Sequence, residues 1–569
     1  MNHHHSLRPI AVAALAALMG GSVSAGETIE LGDGLKLDWR LASTYTLSQR
    51  LKSADPLLAG NAGANDGDNN FKKNALTANR LGLLLDSKLS QGDSGLVFSA
   101  STFYDHAYRG KNDNNGAANN PNKVNHPAPY DEFTADARRY HGGYSRVLDA
   151  YAYTSVDAGD AGRLTVRAGR HVVSWGEALF FPGISLAQGP ADGTKTGVPG
   201  TETKDQLLPE DQISATLEVN PRWSLLAQAQ FGWHPTLAAA PGSFMSTSDS
   251  TGAGASCLGP YSSIPAVGGF SGFSGCSFGA RGPDITPSKT GQWGVGTRFR
   301  VTEETEVGAY YLNYHDRTPL PEINAFTAGV AIPAALQPAF GGITQIGNGS
   351  YRVRYFDNIK LLGLTASTTF GAVQMGGEIS HKQGAPVLVN ALVNPASGAT
   401  MATPTRADIT QLNVNAFYNV GRTPVADSMQ VLGEFSYVKI SNVEARKAIG
   451  AENFPANFGF TASNQLNFNT DSGLAFSGTV VLGYPGIFDG WDLTVPISFS
   501  KQLKGRTLLG GVGGEGDTRY SIGATFTRAS NLSVGLTYLG YGGSASLDSL
   551  TSRLVTDRDQ LSLVMKYAF

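Results

Sequence analysis

The chain has 569 residues, and 43 Lys and Arg stand against 46 Asp and Glu, a formal net charge of −3 at pH 7. That balance gives no reason to expect a nucleic-acid partner. Mean hydropathy is −0.13, and past the amino terminus no apolar run reaches the roughly 20 residues that a membrane-spanning helix needs. A chain of this length in soluble form would divide into several domains. With 70 glycines, many Asn, Ser and Thr, and no linker or composition break, it reads instead as one large β structure.

In chain order, Arg8 precedes an apolar run from Ile10 to Met19 and a small-residue tail that ends at Ala25. This is the pattern of a secretory signal peptide, residues 1–25, cleaved after Ala25. His3, His4 and His5 lie within it and enter no metal argument. The remainder, 26–569, is read as a single outer-membrane β-barrel domain. Leu35, Leu37, Trp39 and Leu41 alternate with Lys36, Asp38 and Arg40, a period of two that puts the apolar set on one face of a strand and the charged set on the other.

Further strands are expected near 81–89, 96–100, 147–156, 163–173, 213–219, 223–233, 292–301, 306–315, 357–370 and 373–382. The series continues near 409–420, 429–440, 473–482, 491–500, 519–528 and 532–541, with a closing strand over 558–569. Short connections alternate with long ones (109–145, 174–210, 234–290, 383–407, 441–471). The count is about 18 strands, with 16 as the alternative, and an even number places every short turn at one end and every long loop at the other. That is the arrangement of a transmembrane antiparallel β-barrel with periplasmic turns and extracellular loops. Pro496 lacks a ladder donor, so a bulge is expected there.

In the closing strand Leu561, Leu563, Met565, Tyr567 and Phe569 take every second place, with Ser562, Lys566 and Ala568 between them. A lysine at the lipid midplane would cost about 2–4 kcal/mol, so Lys566 is directed inward. The strand resembles the carboxyl-terminal signal of bacterial outer-membrane barrels, which implies that these five residues are presented to the barrel-assembly machinery. The plainer alternative is an ordinary amphipathic edge strand. A barrel of this width leaves an aqueous interior.

The most distinctive stretch is Ala168-Gly-Arg-His-Val-Val-Ser-Trp-Gly-Glu-Ala-Leu-Phe-Phe-Pro-Gly-Ile-Ser, which leaves a strand and enters a long loop. Folded into the lumen, Arg170 and Glu177 could pair at a constriction, while Trp175, Phe180 and Phe181 could form an apolar platform for a ligand. Alternatively, the segment only anchors the loop to the wall. Lumen-side charges are expected at Lys36, Asp38, Arg40, Asp86, Lys88, Arg167, Arg298, Arg300 and Arg519, either as a selective cluster or as ordinary polar lining. Cys257 and Cys276 share one Gly/Ser-rich loop and are expected to form a disulfide in an exported chain, worth about 3 kcal/mol in the chain-entropy model.

Other patterns carry less. Gly511-Val-Gly-Gly-Glu-Gly516 has dinucleotide-site spacing but no helix to present amides to a phosphate. The histidines show no metal-ligand spacing. No catalytic constellation, cofactor site or metal site is read.

The stretches Ala168–Glu177, Gly183-Ile, Leu207-Leu-Pro-Glu-Asp-Gln-Ile-Ser, Trp223-Ser-Leu-Leu-Ala-Gln-Ala-Gln-Phe, Pro241-Gly-Ser-Phe-Met-Ser-Thr-Ser-Asp and Tyr355-Phe-Asp-Asn-Ile-Lys-Leu-Leu-Gly-Leu resemble a proteobacterial family of outer-membrane proteins, "domain of unknown function 1302". The resemblance implies an outer-membrane barrel whose genes often accompany transporters and the catabolism of hydrophobic compounds, and it supplies no catalytic residues. The function expected is a channel or translocator for small hydrophobic or amphipathic molecules, working with outer-membrane lipid and a periplasmic or inner-membrane transport partner. A surface binding or adhesion protein is the alternative, and an outer-membrane hydrolase with an interstrand Ser–His–acid set is the third.

Overall fold

Alternating side chains fix the architecture, because each strand has one apolar face for lipid and one for the interior. The computed structural model describes residues 26–116, 124–266, 270–326, 330–340, 344–346, 349–507 and 513–569. The signal-peptide reading, and Gly511 of the glycine-rich stretch, lie outside the described residues. The barrel strands are β1 (Leu35–Arg50), β2 (Leu76–Gln91), β3 (Ser94–Asp105), β4 (Gly143–Asp157), β5 (Arg163–His171), β6 (Glu210–Asn220), β7 (Trp223–Gln230), β8 (Gln292–Arg300) and β9 (Glu306–Tyr314). They continue as β10 (Ile359–Phe370), β11 (Val373–Asn394), β12 (Ala399–Gly421), β13 (Ser428–Ser441), β14 (Ser472–Phe488), β15 (Trp491–Lys504), β16 (Thr518–Arg528), β17 (Leu532–Gly542) and β18 (Gln560–Ala568).

Each strand pairs antiparallel with its neighbour in sequence, and β1 closes on β18 from Ala42↔Ala568 to Arg50↔Gln560. The result is a closed 18-strand antiparallel barrel. Turns such as 92–93, 371–372 and 489–490 sit at one end (the turn end), and the long connections sit at the other (the loop end). Outside, Tyr45, Leu83, Phe98, Val295, Leu364, Leu412, Phe435, Phe499, Leu536 and Met565 are exposed and form the apolar outer surface. Inside, Ser48 on β1 donates to Ser562 on β18 across the seam (2.8 Å). The closing strand therefore has the expected register, with Leu561, Met565, Tyr567 and Phe569 exposed and Ser562 buried.

Three local expectations change. A strand over Glu27–Gly32 folds back onto β1 and pairs Glu27 with Trp39. Residues 383–407, expected as a loop, instead prolong β11 and β12 to 22 and 23 residues, paired from Ala385↔Ala407 to Asn394↔Ala399. Their alternation is lost because both faces are covered: Val387, Leu388 and Val389 are all buried, and a short strand, Leu466–Asn467, pairs on the far side. The bulge expected at Pro496 does not form. Val481↔Pro496 keeps register with β14, and towards β16 the pairs Thr494↔Thr525 and Ile497↔Ile522 flank the interruption without a shift.

At the loop end, Phe71, Tyr108, Phe133, Ala137, Ala240 and Phe244 bury one another as a small core shared by three loops. The disulfide Cys257–Cys276 forms farther along the loop that supplies Ala240 and Phe244. His141 lies beside this core, its Nε2 accepting the Ala240 N–H at 3.1 Å. Burial, then the Lys195 charge, pushes its pKa down to about 3. The unfolded value is about 6.5, so the stability His141 contributes is complete above that pH and is lost as pH falls towards the folded value. Hydrogen exchange in this loop core, corrected for intrinsic rates, should accelerate from pH 6.5 to pH 4. The His141→Gln variant should show a flatter profile, and identical profiles would refute the assignment.

Candidate functional site

Residues 172–209 leave β5 at the loop end and turn into the barrel. The first leg crosses to the far wall, and two buried glutamates there receive it. Glu378 on β11 accepts from the N–H groups of Glu177 (2.8 Å), Ala178 (3.2 Å) and Ile184 (3.1 Å). Glu434 on β13 accepts from Leu179 (3.1 Å), Phe180 and Phe181 (3.1 Å). From β12, Asn413 Nδ2 donates to the Phe181 carbonyl (2.7 Å) and Asn415 Nδ2 to the Glu177 carbonyl (2.6 Å). Hydrogen bonds to a charged acceptor contribute about 1.5–3 kcal/mol each. Gly176, with φ at +110°, and Gly183 make the approach possible, since a Cβ at either would collide with the Glu378 carboxylate.

Apolar packing completes this leg. Trp175 stacks on Tyr310 of β9 at 5.6 Å. With Ile184 it joins Leu312, Leu361, Val438 and Ile440, all buried on the lumen faces of β9, β10 and β13. Leu179 and Phe180 pack on Leu432 and Val481, and Phe181 on Ala475. Trp175 and Phe181 are thus anchors of the loop against the wall, while Phe180 and Glu177 remain half-buried. Arg170 does not pair with Glu177. It makes a two-pronged bridge to Asp211 on the adjacent β6 (2.8 and 2.9 Å), because Arg170↔Asp211 is a cross-strand pair.

The second leg returns to the opposite wall. Glu202 meets Arg40 of β1 (3.5 Å), and Lys204 bridges Asp86 of β2 (2.5 Å) and Asp149 of β4 (2.9 Å). Asp192 meets Arg146 of β4 (2.7 Å), and the Pro199 carbonyl accepts from Thr46 (3.1 Å). A cavity of about 40 Å³ lies between this leg and β1–β3. The loop is therefore a strap tied to both walls.

The lumen charges do not form one cluster. Arg40 and Asp86 bind the strap. Lys36 pairs with Glu30 (3.0 Å), and Asp38 accepts from Thr28 (2.6 Å), near the turn end. Lys88 and Arg167 lie over Tyr153 and Tyr151, Arg298 donates to the Tyr310 hydroxyl (2.8 Å), Arg519 pairs with Asp517 (3.1 Å), and Arg300 is exposed. The wall glutamates Glu378 and Glu434 were missed in the sequence; an acidic residue on the inward phase of an apolar strand was the available signal. One Ser–His pair does form, His171 Nε2 with Ser214 Oγ at 2.8 Å, but Nδ1 faces the Gly169 carbonyl, so no carboxylate completes it.

A closed antiparallel barrel with an apolar outer surface, a charged inner wall and a strapped lumen is a transmembrane β-barrel of the outer-membrane type. The chain belongs to the family described as "Protein of unknown function (DUF1302)", whose profile matches residues 6–569. A search of curated proteins finds no match. Among solved structures the chain is similar to Acinetobacter baumannii OccAB1 (8 % identity, TM-score 0.42, 95 % of this chain and 98 % of that one). It is also similar to Pseudomonas aeruginosa OccK2 (OpdF) (10 %, 0.40, 94 % and 97 %) and to Salmonella typhi OmpF in complex with daunomycin (11 %, 0.36, 95 % and 100 %). Likeness at this level reaches neither a site nor a ligand.

Proposed function

We propose that this protein is an outer-membrane channel whose passage is set by the strap at residues 172–209, and that its cargo is small and amphipathic or hydrophobic. The observation that carries the reading is the tie of one loop to both walls, which supports a constriction inside a barrel wide enough to conduct. The cargo class is supported by the apolar lumen faces beneath the strap: moving it would bare Leu312, Leu361, Val438 and Ile440 opposite a wall of charges. One apolar lane facing one charged wall suits a molecule with both characters. The gene neighbourhoods of the family point the same way.

The test is single-channel conductance of the purified, refolded chain in a planar bilayer, with steroids, fatty acids and aromatics added in turn. Small stable steps blocked by one compound class are expected, and deleting 174–189 should enlarge the steps and remove the block. A folded barrel that stays silent with and without the strap would overturn the reading.

A further inference from the structure

At the loop end, three segments meet around a group of buried oxygens that the strap does not use. Asp66 and Asp249 come together there: the Asp66 N–H donates to Asp249 Oδ2 (3.2 Å), and the Asn125 N–H donates to Asp66 Oδ2 (3.3 Å). Asn65, Asp66 and Asp249 are fully buried, and Asn125 and Asn70 nearly so. The asparagines of the first segment spend their amide nitrogens elsewhere, Asn65 on the Ala59 carbonyl (2.8 Å) and Asn70 on the Gly242 carbonyl (2.9 Å). The Asn70 amide and Asp66 flank the same glycine, Gly242. What remains without a partner is one oxygen from each of Asn65, Asp66, Asn70, Asn125 and Asp249, together with the Asn125 Nδ2.

A buried acceptor without a donor costs about 1–3 kcal/mol, more when charged, so a set of this size calls for a shared positive partner. The neighbouring arginines supply it only in part: Arg558 lies within charge reach of Asp249 but makes its hydrogen bonds elsewhere. Arg558 is held by Asp68 (2.9 Å) and Arg50 by Asp557 (2.8 Å), which leaves the charges of Asp66 and Asp249 over. Among the described residues no group of three or more His, Cys, Asp or Glu converges on a metal position, so the charged donors of this set number two, Asp66 and Asp249. Two carboxylates with several amide oxygens, in an irregular loop setting, suit a hard cation that accepts variable coordination, and calcium does so where magnesium demands a near-ideal octahedron. We propose that Asp66, Asp249, Asn65, Asn70 and Asn125 bind one calcium ion that fastens the loop segments 61–70, 124–126 and 246–250 together.

Two carboxylates on a loop cluster place the affinity with extracellular modules, a Kd of about 10⁻⁴–10⁻³ M. Equilibrium dialysis of the full chain in detergent against radioactive calcium should show one more bound ion per chain than in the Asp66→Asn/Asp249→Asn double variant. Lipopolysaccharide carried with the protein binds calcium equally in both samples and cancels in the difference. A second readout needs no variant. Hydrogen exchange across 51–75 and 232–258 of the unaltered protein should quicken several-fold on chelation and slow again when calcium, but not magnesium, is restored. Equal binding by the two proteins, or exchange indifferent to calcium, would overturn the site and leave the carboxyl pair held by a shared proton.

Discussion

Replacing Glu378 and Glu434 together by glutamine is expected to raise the mean conductance several-fold and to make the steps flicker. The substitution keeps the side-chain length but turns one acceptor oxygen of each residue into an amide donor that faces the N–H groups of the strap. Six backbone amides converge on the two carboxylates; each bond to a charged acceptor contributes about 1.5–3 kcal/mol, and a neutral amide weakens all six while setting a donor against the N–H of Ile184 and of Leu179. The second leg keeps its ion pairs with β1, β2 and β4, so the strap should swing rather than leave. Glu434→Gln alone should show an intermediate effect. Unchanged steps in the double variant would mean that Trp175 and Ile184 hold this leg by packing alone.

The second large effect is expected from Arg558→Met. The Arg558 guanidinium is fully buried. It bonds Asp68 through Nε (3.1 Å) and the carbonyls of Phe244 and Ser246 through Nη1 (2.8 Å to Ser246). Removing one member of a buried ion pair costs about 3–5 kcal/mol, because the partner charge stays buried without compensation. That is enough to release the loops that share the Phe71–Phe244 core while the hydrogen-bonded wall stands. Limited proteolysis should cut within 51–75 or 232–258, with the heat-modifiable electrophoretic mobility of the barrel preserved. Resistance equal to that of the unaltered protein would refute the role given to Arg558.

The barrel was legible where lipid meets one face and water the other. In β1, Leu35, Leu37, Trp39 and Leu41 alternate with charges, and β18 repeats the pattern through Phe569. The site was not, because a lumen covered by protein obeys different rules. Leu361 and Leu362 are neighbours on opposite faces of β10, and both are apolar, one against the strap and one against lipid. The same cause hid the extension of β11 and β12, whose Val387-Leu-Val run is covered on both sides. Trp175 and Phe181 were recognised as special, but a sequence cannot distinguish an aromatic offered to a ligand from one spent on a wall. The pairing of Arg170 was decided by register, since Asp211 lies directly across from it on β6.

The long hairpin of β11 and β12 has a mechanical consequence. Strands of 22 and 23 residues extend about 75 Å at roughly 3.4 Å per residue, against a hydrocarbon core of about 30 Å, so the tip at 395–398 stands well clear of the bilayer. The same two strands hold Glu378, Asn413 and Asn415 lower down. A force applied at the tip therefore travels along continuous ladders to the seat of the strap, as along a lever. In a single-molecule pulling experiment this hairpin should come out in the longest step of the trace, and the seat of the strap should fail in that same step.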